Sequence, residues 1–194
     1  MGAERMSLRL IDLCNEALDL VGASAISSLS DGTVEANIVA RAYGPTRDRI
    51  LRAYPWNCAL RRVTLDAEAQ SPPWGFAYAY ALPGDCLRVV ELAQGNTPWR
   101  LERRDDGQAV LLSDEGPQAR LVYVRRIEDP DEFDPLLADY LVVALAERIA
   151  AKLTESPSRM QALAERARRA RALAAKIDAA EGGLEGDISP AWGA

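Results

Sequence analysis

Apolar residues recur at intervals of three and four at both ends of the chain and at every second position in its middle. From Ser7 to Val21, Leu10, Leu13, Cys14, Ala17, Leu18 and Val21 fall at helical spacing, and Gly22 is a natural stop. After the polar stretch SSLSDGT a second helix is predicted over 34–54, with Val39, Tyr43, Thr46, Ile50 and Tyr54 along one face. Gly44-Pro45 interrupts that pattern, so a kink or a break is expected there. Tyr54-Pro55 ends the helix, and between Ala59 and Arg126 the period changes to two. Strands are predicted over 59–65, 76–82, 86–93, 98–103, 109–113 and 119–125, separated by the turn-like clusters SPP, LPGD, QGNT, RDDGQ and DEGPQ. Short turns between strands imply antiparallel hairpins.

The helical period returns after EDPDEFDP. Asp134 and Pro135 make a cap-plus-proline start for a helix reaching Leu153. That helix is apolar nearly all round, which calls for burial on several sides by its own domain or by a neighbouring subunit. Ser156-Pro157 repeats the start a few residues later, so the last two helices form an antiparallel hairpin. In the final helix Met160, Leu163, Ala167, Ala170, Ala174 and Ile177 form a narrow packing seam, ended by Gly182-Gly183. The expected fold is α+β, a mainly helical bundle with an inserted antiparallel β module. Residues 7–57 and 134–181 form the bundle, 58–127 the insertion, and 182–194 an extended acidic tail.

The stretch WGFAYAYALPGDC places Trp74, Phe76, Tyr78 and Tyr80 at every second position, with alanines between them. In a strand such residues share a face. Base-stacking sheets normally interleave their rings with Arg or Lys, whereas alanine on the opposite face implies close approach of another backbone or helix. The stretch therefore reads as a strand covered on both faces, and no binding site is placed on it.

Composition narrows the chemistry. Of 194 residues 48% are hydrophobic and 27% charged, as in an ordinary globular chain, and no run approaches the length of a membrane span. The N-terminus carries Glu4 and Asp12 and no cleavage-like segment, so cytosolic synthesis is expected. Cys14, Cys58 and Cys86 are odd in number and widely spaced in apolar surroundings, which suits buried small side chains better than disulfides or zinc. There is no histidine, which removes the commonest general base, metal ligand and nucleophile partner. No P-loop or GxGxxG occurs, and the carboxylates at 128–134 lack the calcium-loop register. No catalytic residue, cofactor or metal site is assigned, and the chain reads as a non-enzyme.

The net charge of −6 argues against a protein that wraps nucleic acid over much of its surface. Only Lys152 and Lys176 are lysines, so the basic side is nearly all arginine. Arg159, Arg166, Arg168, Arg169 and Arg171 concentrate on the last helix. With acidic segments at 128–139 and 181–187 on the same chain, charge pairing between subunits is favoured over phosphate contact. The alternative, a nucleic-acid-binding regulator using this helix, predicts affinity that falls steeply with salt. A carboxylate-dependent hydrolase would need an acidic pair in a pocket.

Three segments, RILRAYPWNCA, PPWGFAYAYALPGDCLRVVEL and VYVRRIEDPDEFDPLLADYLVVALAERIA, resemble in content and order the head-to-tail adaptor (connector) proteins of tailed bacteriophages and prophages, closest to the tail tubular protein A type of short-tailed phages. The resemblance runs from about Ser7 to Ile177, and its most specific part is the middle segment with Trp74, Phe76, Tyr78, Tyr80, Pro83 and Asp85. It implies a structural virion protein without catalysis or membrane association, assembled in the host bacterial cytoplasm as a dodecameric ring. Such rings bind the portal protein on one side and the tail tube or nozzle on the other, and genomic DNA passes the lumen without specific binding. By the same analogy Ile188, Pro190 and Trp192 of the tail would contact the portal. Gly44-Pro45 departs from the family pattern, and the tail is short. A helix apolar all round and segregated charges suit a ring of identical subunits.

Overall fold

The computed structural model describes residues 2–93 and 97–182. The turn QGNT, apart from Thr97, and the tail from Gly183, with Ile188, Pro190 and Trp192, lie outside the described residues. The fold is α+β. Helices α1 (Gly2–Val21) and α2 (Val34–Ala53) precede six strands, β1 (Leu60–Asp66), β2 (Tyr78–Ala81), β3 (Cys86–Leu92), β4 (Trp99–Arg103), β5 (Ala109–Ser113) and β6 (Gln118–Arg125). Helices α3 (Pro135–Leu153) and α4 (Pro157–Glu181) follow. The contacts divide the chain into a helical unit, made from the segments up to Cys58 and from Ile127, and a β unit, Ala59–Arg126.

The end of α1 and the starts of α2, α3 and α4 fall where the sequence provides for the unpaired backbone groups. Gly22 has φ of 76°, its N–H donates to Asp19 O, and the next N–H, of Ala23, reaches Leu18 O. This paired arrangement closes the last turn of α1. The side chains of Thr33, Asp134 and Ser156 accept from the first-turn amides of α2, α3 and α4. Pro45 does not break α2, which runs unbroken from Val34 to Ala53. Pro45 is on the exposed side of the helix, a Cβ on the preceding Gly44 would meet open space, and the buried Thr46 hydroxyl donates 2.7 Å to Ala42 O one turn back.

Helix α3 packs against α1, α2 and α4. Those three neighbours belong to the same unit, so a second subunit is not required to explain its all-round apolar character. Burial alone pushes the Cys14 thiol of α1 up to about 12. Trp56 is buried beyond the end of α2, with its indole N–H 3.1 Å from Ile50 O and its ring against Tyr54 and Tyr140.

On α4 the expected seam fails at its last member. Leu163, Ala167 and Ala174 are buried, but Ile177 is 38% exposed and Asp178 is buried in its place. A repeat of 3.5 residues drifts around a straight helix of 3.6, so by the last turn the inward position has moved on by one residue. The Asp178 carboxylate accepts from Asn57 N at 2.9 Å, and the Asn57 side-chain amide donates to the Asp178 carbonyl. Tyr54 OH donates to Ala175 O at 3.2 Å. The end of α4 is thereby fastened to the 54–57 segment.

Burial raises the Asp178 pKa, the nearby Asp134 and Glu181 charges add to the rise, and the Asn57 amide opposes it. A raised folded-state pKa favours the folded protein most below the unfolded value of about 4, and this advantage is lost as pH rises through the folded value. D178N keeps an oxygen for the Asn57 amide but cannot ionise. Its stability relative to the parent should therefore increase as pH rises from about 4 to 7. Paired urea midpoints across that range test this; a difference independent of pH would refute the burial account.

In the β unit all pairings are antiparallel, in two sheets ordered β1-β6-β3 and β2-β5-β4. Tyr80 and Leu111 of one sheet and Leu92, Ala119, Leu121 and Tyr123 of the other form a common core. LPGD does not close a hairpin, because β2 pairs with β5 while β3 pairs with β6. The turn passes the chain between sheets, with Cys86 N donating to Pro83 O and Tyr123 OH donating to the Asp85 carboxylate. The line of rings is also shorter than its sequence spacing suggests. Trp74 lies before the strand and is 84% exposed, and Phe76 packs on Ala79, Val110 and Leu112. Only Tyr78 and Tyr80 share the core side, their ring centroids 6.3 Å apart. Ala79 and Tyr80 are both buried, so at these two positions the strand is covered on both faces.

Candidate interaction surfaces

The five α4 arginines do not form one patch. At 100° per residue Arg166 and Arg169 fall on one flank of the helix and Arg168 and Arg171 on the other. Arg159 serves the fold: its guanidinium donates 2.6 Å to Val21 O, supplying a partner to the open end of α1. It lies so close over Gly22 that a Cβ there would stand 2.5 Å from Nη1, in a backbone conformation that already favours glycine. Arg168 and Arg169 both hold Glu165, at 2.6 and 2.9 Å, and their hydrogen bonds and charge lower its pKa. Among the described residues Arg166 and Arg171 have no ion-pair partner.

The flank that carries Arg166 and Arg169 is the more informative, because Leu173 and Ile177 lie on it and are 52% and 38% exposed. With Ala162 and Ala180 they form a mixed apolar and basic stripe. Sequence spacing assigned Ile177 to the core and gave Leu173 no role. The available signal for Leu173 was a leucine one residue off the seam, immediately before the inward Ala174.

On the same helical unit, α1 and α3 border a groove of about 470 Å³ lined by Asp12, Glu16, Asp19 and Asp139, with Arg9 at one end. Arg9 lies 3.8 Å from Asp131. Asn15 on this face clamps the following loop, exchanging two hydrogen bonds with the Ile26 backbone. The exposed acids of α1 follow helical spacing, 12, 16 and 19, so the groove wall is acidic over two turns. One unit thus carries an acidic groove and a basic-apolar helix flank.

The β unit has a groove of about 420 Å³ on the β1-β6-β3 sheet, where Arg62 and Arg120 stand with Glu91 and Thr64. Its charges are mixed, and no row of rings lines it, since Tyr78 and Tyr80 are in the core. Phe76, Tyr78, Tyr80, Pro83 and Asp85 serve the packing and the crossing between sheets, whereas Trp74 is exposed and takes no part in either core. Among the described residues no helix is long and apolar enough to cross a membrane. The sequence matches no protein-family model and no curated protein.

Proposed function

We propose that this chain is a structural, non-enzymatic head-to-tail adaptor of a tailed phage or prophage particle, forming a ring between the portal and the tail tube or nozzle. The observation that carries the reading is the pair of unlike surfaces on one helical unit. The α4 flank offers Leu173 and Ile177 one to two turns beyond Arg169, on the side that also carries Arg166, and the α1–α3 groove offers carboxylates. Identical subunits that meet through two different surfaces build closed rings when the rotation closes. The three segments resembling phage adaptors supply the biological setting, and the dodecameric count rests on that resemblance alone. The spread of the α4 arginines and the Glu165 clamp weigh against a phosphate-tracking helix, which is the alternative reading.

The test is to mix the purified protein with portal protein and examine the mixture by sedimentation and negative-stain microscopy. Rings on portal are expected, and the double variant R166E/L173D should stay folded by circular dichroism yet lose ring assembly at least tenfold. Removing residues 184–194 should weaken portal attachment. A parent protein that stays monomeric and unbound in the presence of portal would sink the proposal.

A further inference from the structure

We propose that β4 pairs edge to edge with β4 of a second copy, joining two β2-β5-β4 sheets across a two-fold axis at Leu101. This goes beyond the adaptor reading and does not depend on it. Strand β4 is at the end of its sheet, and all five of its residues are exposed. Its backbone direction follows from the adjoining turn, where Arg104 N donates 3.0 Å to Gln108 O. In an antiparallel ladder bonded and non-bonded pairs alternate. Arg104, Glu102 and Arg100 therefore direct their backbone groups to β5, and Trp99, Leu101 and Arg103 direct theirs to the open edge. Leu82 N donating to Ala109 O gives the same alternation from the far side of β5.

The side chains of β4 suit its own copy. Trp99 and Leu101 stand opposite Ser113 and Leu111, on the side of the sheet that carries the core, yet remain 37% and 39% exposed. An antiparallel second β4 centred on Leu101 sets Leu101 against its counterpart and Trp99 against Arg103 of a second copy. Ring and guanidinium then meet on the same face, an attractive pairing. On the other face Arg100 comes opposite Glu102 of a second copy, twice by symmetry. Within one chain these two are 4.0 Å apart along the strand, at the limit of an ion pair. Directly opposed unlike charges stabilise a strand pair and like charges oppose it. The string Trp99-Arg-Leu-Glu-Arg103 is thus self-complementary in charge and in apolar content.

The other edges of the β unit lack this fitness. Two register shifts disturb β3 against β6, and irregular edges pair poorly. On β2 the Ala79 carbonyl already accepts from Glu68 N at 2.8 Å. Antiparallel self-pairing of β1 about Val63 would set Arg62 against Thr64, with no opposed charges.

Five residues from each copy bury less than a stable interface of about 1,200 Å² needs, so the pairing should be weak and depend on concentration. Sedimentation equilibrium of the full chain, without portal, should show a dimer forming as concentration approaches about 1 mM. R100E alone sets glutamate against Glu102, E102R alone sets arginine against Arg100, and each should weaken dimerisation at least tenfold. An equimolar mixture of R100E and E102R should dimerise again, because every opposed pair then has unlike charges. A loss of folding would not be rescued by mixing. The same dimer should persist in R166E/L173D, which separates this contact from the ring contact. A parent chain monomeric at about 1 mM, single variants that dimerise as the parent does, or a mixture that stays monomeric would each overturn the proposal.

Discussion

Replacing Trp56 by alanine should destabilise the helical unit by about 3–5 kcal/mol, the range for deleting a large buried ring. Trp56 is among the largest fully buried side chains, with Tyr54 4.7 Å and Tyr140 6.4 Å away between ring centroids. It also answers a backbone need. The last four carbonyls of a helix lack internal partners, and the indole N–H supplies one to Ile50 O at the end of α2. W56F should keep much of the ring contact and lose this bond, leaving a buried acceptor unpaired at a further penalty of about 1–3 kcal/mol. The parent, W56F and W56A should therefore fall in that order in urea melts followed by helical circular dichroism. A change below about 1 kcal/mol in W56A would mean that the pocket collapses around the missing ring.

Tyr80 has the corresponding place in the β unit, and Y80A should destabilise that unit by about 3–5 kcal/mol. The ring is fully buried between the two sheets, and its hydroxyl donates to Gly116 O. Gly116 has φ of 118°, so the carbonyl that accepts this bond is presented by a turn few other residues adopt. Burial raises the phenol pKa, and the neighbouring Glu115 charge adds to the rise, so the hydroxyl stays protonated and able to donate. Y80F should retain the packing and lose about 1 kcal/mol. Amide hydrogen exchange resolves the site of damage: β5 and β6 should lose protection in Y80A while α3 keeps it. Unchanged protection in β5 and β6 would count against Tyr80 as the centre of this core.

The strands were legible because their boundaries are written locally. Turn residues such as Gly107, with φ of 83° in the RDDGQ turn, punctuate a period of two, and the predicted spans differ from β1–β6 by only a residue or two at most ends. The starts of α3 and α4 were legible for the same reason, through Asp134 and Ser156, whereas α1 begins at Gly2, five residues before the predicted Ser7. Pairing order was not. LPGD has the chemistry of a hairpin turn, but whether it joins two neighbours or passes between sheets depends on what covers Tyr80 and Tyr123. The α4 surface was the least legible. Arginines adjacent in sequence diverge around a helix, and Ile177 and Asp178 exchange roles through a small angular drift. Arg159 was counted with a charge patch because a backbone carbonyl 138 positions away leaves no trace in local spacing.

The pairing of β1 with β6 bears on how the chain reaches its fold. Leu60 is registered with Val124, so the insertion begins and ends on neighbouring strands about 4.8 Å apart. For the helices flanking it, an unfolded Ala59–Arg126 segment is a loop of about 68 residues whose closure opposes assembly. Once the strands have formed, the same segment acts as a clip a few residues wide, lowering the closure penalty by about 2–3 kcal/mol. In its folded form the β unit is a splint, holding two distant stretches of polymer close enough for the helices on either side to meet at a lower entropic cost.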